Sequence, residues 1–296
     1  MIRVATGVVA GVAALTAFLV YYKQEGGVWH SVSWLIGWSY FIAWSLSFYP
    51  QLVLNYKKQS TEGLSFNFVW LNLLGFFCYS VFNCAFYFSD SVQESYEVKN
   101  HGEKNLVKLN DVFFALHATV LTAATVVQMY ICGLRRSPGR QTWLIVRAFI
   151  VGAVTVSSLY LIAVFAHGNP IWNESGDNFW TMLQWLYAVS YIKLFISFVK
   201  YCPQVYLNFK RKSTVGWSLH NVLLDFTGGL LSLAQLLIDA SLSSNWSGVV
   251  GNPVKFGLAL ISLVFDIIFL VQHYVLYADV AYTEFSDEEA ENELLS

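Results

Sequence analysis

The chain has 296 residues, of which 56 % are hydrophobic, 17 % aromatic and only 12 % charged, with a formal net charge of -2. A soluble domain carries about a quarter charged residues, so an ordinary soluble fold is excluded. No basic domain is present to neutralise phosphates, so a nucleic-acid partner is excluded as well.

In chain order, Arg3 and the run VATGVVAGVAALTAFLV open the sequence as a signal peptide or an uncleaved signal anchor does, over residues 1–30. Seven apolar runs follow, at about 33–54, 66–88, 111–134, 142–166, 180–207, 218–240 and 256–277. Each has roughly the 20 residues that cross about 30 Å of hydrocarbon. The expected fold is an all-α polytopic membrane protein with seven transmembrane helices.

Lys57 and Lys58 lie after the first run, Arg135, Arg136 and Arg140 after the third, and Lys210, Arg211 and Lys212 after the fifth. The positive-inside rule places these three loops in the cytosol. Both N-x-S/T sequons, at Asn173 and Asn245, then fall on the lumenal side, as glycosylation requires. The tail over 278–296 is acidic, cytosolic and expected to be disordered.

An internal repeat organises the chain. YPQLVLNYKKQSTEG (49–63) returns as CPQVYLNFKRKSTVG (202–216), at an offset of 153 residues. The match continues through Ser65/Ser218, Val69/Val222, Leu71/Leu224, Asn72/Asp225 and Gly75/Gly228. Two three-helix repeats, over 31–134 and 179–277, are therefore expected in the same orientation, joined by a linker helix within 135–178. Parallel repeats of this kind hold their substrates near the midplane.

Pro50 with Gln51 and Pro203 with Gln204 repeat inside predicted helices. Proline removes a backbone donor and crowds the preceding turn; a matched pair reads as paired hinges, a single one as a static bend.

Charged side chains at membrane depth cost at least about 2.5–3.5 kcal/mol each and mark function by default. The candidates are Lys193, Lys200, Asp225, Asp266 and Asp111, whereas Arg147 sits near a helix end and can snorkel. Asp225 follows Asn221 by one helical turn and precedes the small residues Thr227, Gly228 and Gly229. The competing reading is that these lysines and aspartates only neutralise one another.

Cys78, Cys84, Cys132 and Cys202 lie in or beside apolar runs and read as free thiols between helices. His117, His220 and His273 show no metal spacing, and no nucleophile triad or P-loop occurs. No enzyme activity, metal or cofactor is expected.

The stretches FYPQLVLNYKKQSTEGLSFNFVWLNLLGF, NDVFFALHA, SYIKLFISFVKYCPQVYLNFKRKSTVGWS, NVLLDFTGG and VFDIIFLVQHYVLY together resemble the cystinosin family, over roughly residues 33–277. Cystinosins are PQ-loop proteins that export cystine from lysosomes or vacuoles in symport with protons. The resemblance implies a substrate site lined by Asn72, Lys193, Asn221 and Asp225, with Trp44 beside it. It also implies that Asp225 takes the coupling proton, supported by Asp111, Lys200, Lys255 and Asp266. L-cystine, protons and the lipid bilayer are the implied partners, in a multi-pass lysosomal or vacuolar membrane protein. Asn67 and His220 depart from the family pattern. Tyr282 and Phe285 fit a Y-x-x-bulky sorting signal for adaptor proteins. Two other readings stay open: a PQ-loop carrier of cationic or neutral amino acids, and a seven-helix cargo or signalling receptor.

Overall fold

The computed structural model describes residues 27–59, 61, 66–131, 140–167, 179–214, 219–244, 246, 249 and 253–278. The N-terminal segment up to residue 26, both sequons and the Tyr282–Phe285 motif lie outside the described residues. So do the side chains of Pro203, Gln204 and Asn221.

All described secondary structure is helical: α1 (Val28–Leu46), α2 (Tyr49–Lys58), α3 (Phe66–Phe88), α4 (Asp90–Lys99), α5 (Leu109–Ile131), α6 (Arg140–Ala166), α7 (Met182–Arg211), α8 (Leu219–Leu242) and α9 (Pro253–Val271), which runs into a π-helical turn, Gln272–Leu276. Among the described residues six helices are long and apolar enough to cross a membrane, drawn from α3, α5, α6, α7, α8 and α9 with its π turn. α1 is not among them. Its length is 19 residues, and Trp29, Trp34, Trp38, Trp44 and several serines lower its mean hydropathy. It nevertheless starts the same bundle. Tyr40 meets Asp111 and Phe41 meets His117, while beyond the break Leu52 meets Gln128, so α1 and α2 together run alongside the whole of α5.

The repeat is visible in the packing. α1 packs antiparallel along α8, as α7 does along α3; α3 packs on α5, as α8 does on α9. The first helix of each unit thus lies against the second helix of the other. Helix ends repeat too. Gln59 and Lys212, 153 positions apart, both cap their helices in the left-handed region, at φ 46° and 54°. The linker α6 packs on α7 and α3, and only 6 % of its apolar window is buried, as fits a helix facing lipid. Arg147 on it is exposed.

Two features depart from the sequence reading. The first run is broken: α1 ends at Leu46, Ser47 and Phe48 form a turn, and Pro50 stands in the first turn of α2. Proline suits that position, because its missing N–H would have no intrahelical partner there. α7, by contrast, continues through Pro203 to Arg211. The 90–108 connection, which lies between the second and third apolar runs, contains α4. Ser89 caps it by accepting from Val92 N, and Asp90 and Lys99 sit at the ends that suit the helix dipole. Its Val92 and Tyr96 bury against Phe82, Phe86, Leu186 and Tyr187.

Candidate functional site

The polar residues of the bundle fall into layers. At the end away from the basic loops, Lys255 and Asp111 form an ion pair at 2.9 Å, with side chains 2 % and 1 % exposed. Lys255 also donates to Gln235 Oε1 at 2.7 Å. Tyr40 donates to Asp111, and Asn110 Nδ2 donates to the Tyr40 hydroxyl at 2.8 Å and to Gln235 Oε1 at 3.3 Å. Gln235 Nε2 reaches the Ser33 carbonyl at 3.1 Å. One layer outward, Ser33 Oγ donates to Asp239 Oδ1 at 2.6 Å, and Lys108 stands 3.7 Å from Asp239 Oδ2. α1, α5, α8 and α9 are thereby tied together across the boundary between the two units. A buried pair needs these further bonds, since desolvating two charges otherwise outweighs their attraction.

The middle layer holds the other charges. Lys193 is buried on α7, its ammonium 3.6 Å from the centre of the Phe76 ring. Asn72 stands one turn before Phe76 on α3, also buried, and its Oδ1 has no hydrogen-bond partner among the described residues. On α8, half-buried Asp225 accepts from the Tyr201 hydroxyl at 2.5 Å, and its backbone carbonyl accepts from Trp44 Nε1 at 3.2 Å. Asp266 on α9 is 1 % exposed and accepts from Ser262 Oγ at 3.3 Å. Lys200 lies 4.6 Å over the Tyr201 ring, within electrostatic reach of both Asp225 and Asp266.

The glycines of the repeat make room for this layer. A Cβ on Gly228 would stand 2.5 Å from the Trp44 indole, so only glycine lets that ring lie against α8. A Cβ on Gly75 would meet the Lys193 stem at 3.1 Å.

The structure therefore brings Asp225, Asp266 and Lys200 together, with Trp44 against Asp225, and places Lys193 against the Asn72 face of α3. Asp111 and Lys255 belong to the other layer. Among the described residues no ion pair joins Lys193, Lys200, Asp225 or Asp266. Lys200 instead faces Asp225 and Asp266 at longer range, while Asp111 is paired directly with Lys255. Residues not singled out from the sequence are Tyr40, Asn110, Gln235, Ser33, Asp239 and Tyr201. Gln235 and Asp239 carried a signal: they stand at helical spacings from Asp225 along one side of α8. Cys78 is buried, Cys84 half-buried and Cys202 exposed, all as free thiols. His117 accepts or donates to the Tyr49 hydroxyl at 2.9 Å, and His273 likewise to Thr214 at 2.8 Å.

The fold and site are those of a multi-pass membrane protein built from two repeated three-helix units with charges at its centre. The PQ loop repeat family model matches residues 32–92 and again 185–245, so its two copies start 153 residues apart (32 against 185), the offset of the internal repeat. The chain is 45 % identical over 249 residues to a cystinosin homolog of Dictyostelium discoideum, covering 83 % of this chain and 81 % of that protein. It is 40 % identical over 250 residues to a cystinosin homolog of Arabidopsis thaliana, covering 83 % of this chain and 86 % of that one. Against the cystinosin of Bos taurus it is 43 % identical over 247 residues, which are 83 % of this chain but 63 % of the bovine protein. The chain belongs to the cystinosin family. A more distant relative, 28 % identical over 252 residues and covering 81 % of this chain and 92 % of its own length, is the cystine transporter of Saccharomyces cerevisiae.

Proposed function

We propose that this protein is a proton-coupled symporter that moves L-cystine from the acidic lumen of a lysosome or vacuole to the cytosol. The names of its relatives support the substrate; the observation that carries the reading is Asn72 Oδ1, a buried acceptor without a donor among the described residues, one helical turn from the Phe76 ring that holds the Lys193 ammonium. Unpaired buried acceptors cost free energy until a donor arrives. Cystine brings two ammonium groups and two carboxylates. Its ammonium groups suit the Asn72 oxygen and Asp225, and its carboxylates suit Lys193.

The basic loops are taken as cytosolic, and the Asp111–Lys255 layer then closes the lumenal end. A proton entering from the lumen occupies Asp225, with Asp266 and Lys200 beside it and Tyr201 holding its Oδ2. Bending at Pro50–Gln51 and Pro203–Gln204 opens the cytosolic end. A gradient of about two pH units supplies roughly 2.7 kcal/mol per proton, about a hundredfold accumulation of a neutral substrate.

The test is proton current and labelled-cystine flux measured in parallel on purified, reconstituted protein with an acidic lumenal face. Coupled movement of both is expected. Tight cystine binding without flux would make the protein a receptor, and uptake competed by lysine or arginine but not cystine would make it a different amino-acid carrier.

A further inference from the structure

The asparagine of each PQ-x-x-L-N motif has no part in the site above, yet it is buried in both units. Asn55 and Asn208 are each 2 % exposed. Asn55 Nδ2 donates to Gln128 Oε1 at 3.0 Å, and Gln128 Nε2 donates back to the Leu52 carbonyl at 3.0 Å. In the second unit Asn208 Nδ2 donates to Gln272 Oε1 at 3.0 Å, and Gln272 Nε2 donates to the Val205 carbonyl at 3.1 Å. A glutamine from the third helix of each unit thus grips one turn of the first helix twice, at a carbonyl and at the side chain three residues on. In the first unit Gln51 Nε2 donates to Asn55 Oδ1 at 2.8 Å, which turns the Asn55 amide so that its NH2 faces Gln128. Gln272 opens the π-helical turn. Such turns recur at functional sites and shift the register of the residues that follow.

The position of the two grips is informative. Each lies beyond its proline, toward the basic end. On the near side of the proline, α1 packs along α8, and the corresponding stretch of α7 packs along α3, in each case a helix of the other unit. On the far side, the grip fastens the chain to α5 or α9 of its own unit. The prolines therefore stand between a stretch of each first helix that packs on the other unit as well as on its own third helix and a stretch that the grip fastens to that third helix.

We propose that Asn55–Gln128 and Asn208–Gln272 are paired couplings that make the basic-end half of each first helix move with the third helix of its own unit, with Gln51 as the positioning residue for the first coupling. The proposal rests on the transport reading above. Without the couplings, a displacement of α5 or α9 would not be passed to the short segments that close the basic end. Substrate would still bind at the central layer, but the exit would not open with it.

The experiment compares the parent with Gln128→Met and Gln272→Met, full-length and reconstituted, for cystine binding, cystine flux and amide hydrogen exchange. Methionine keeps the side-chain length and removes both amide hydrogen bonds. Each variant is expected to bind cystine within about twofold of the parent and to lose about tenfold in flux, the size two buried hydrogen bonds give. Exchange over residues 50–58 should rise in Gln128→Met while that of α8 stays unchanged. Gln51→Ala should show the same split in smaller degree. Parent-level flux in folded Gln128→Met, or binding and flux lost in proportion, overturns the proposal. If the parent itself moves no cystine, the transport reading fails, and the exchange measurement decides alone: unchanged protection over 50–58 in Gln128→Met then overturns the coupling.

Discussion

The two three-helix units share a backbone plan and differ in charge. At the offset of 153, Lys193 and Lys200 of the second unit stand where the first has Tyr40 and Ser47, and Asp225 stands where it has Asn72. In the third helices, aligned by Gln128 with Gln272, Asp266 stands where the first unit has Thr122. The second unit thus supplies the four charged side chains of the central layer, and the first supplies uncharged groups, among them the Asn72 oxygen, which has no partner among the described residues. The difference teaches how a duplicated fold becomes asymmetric. The order and packing of the helices are kept, and charged side chains stand in one unit where the other has neutral ones. One pair breaks the pattern in the opposite direction. Asp111 and Lys255 occupy equivalent positions and carry opposite charges, so they meet as an ion pair between the units.

That pair offers the largest effect. Lys255→Met leaves the Asp111 carboxylate buried and unpaired, which costs about 3–5 kcal/mol. Thermal unfolding of the purified protein should show a correspondingly large drop in Tm. Exchanging the two charges, Asp111→Lys with Lys255→Asp, tests the equivalence itself. Recovery of part of the lost stability is expected, because the pair can re-form. It will not be complete, since Tyr40 and the Lys108 backbone N–H both donate to the carboxylate at Asp111. No recovery at all would mean the two positions are not related by the repeat.

Next comes the difference between Asp225 and Asn72. Asp225→Asn makes the second unit neutral at that position, as the first already is. Cystine binding should persist, while the proton-driven gain of roughly 2.7 kcal/mol, about a hundredfold in accumulation, disappears. Equal proton-coupled currents from the variant and the parent would remove Asp225 from the coupling role. Asn72→Asp, the reverse change, should weaken substrate binding without restoring coupling to Asp225→Asn.

Much of this plan was legible in the sequence. The repeat, the apolar runs and the alternation of basic loops are properties of composition along the chain, and the packing of α1 on α8 and α7 on α3 follows the same offset. The charged site residues were legible because a charge in an apolar run is conspicuous. Tyr40, Asn110 and Gln235 were not, because uncharged polar groups hardly alter hydropathy. Their importance comes from partners far along the chain, such as Asn110 with Gln235, 125 residues apart. α4 was missed for the converse reason: its charge hides it from a hydropathy reading, although its cap and buried Tyr96 make it a docked helix. Nor did matched prolines announce unmatched helices. α1 stops before Pro50 whereas α7 runs on through Pro203, a difference of backbone that the shared PQ motif does not encode.

The repeated glycines give the smallest effects and the sharpest contrast. A methyl group on Gly228 would stand 2.5 Å from the Trp44 ring, a rigid group that also donates to the Asp225 carbonyl. Gly228→Ala should cost about 1–3 kcal/mol in stability, the range for overpacking, and should weaken cystine binding by moving the indole. Gly75 is its counterpart in the first unit, but the neighbour there is the Cδ of Lys193 at 3.1 Å. That stem has freely adjustable torsions, so Gly75→Ala should change stability by less than about 1 kcal/mol, offset in part by the better helix propensity of alanine. Its effect should instead appear as a small loss of affinity, because the displaced ammonium leaves its place over Phe76. Equal destabilisation by the two substitutions would show that the Lys193 stem is held as rigidly as the indole. The ammonium would then be fixed in place before substrate arrives, and the charge asymmetry between the units would be matched by no asymmetry in their stiffness.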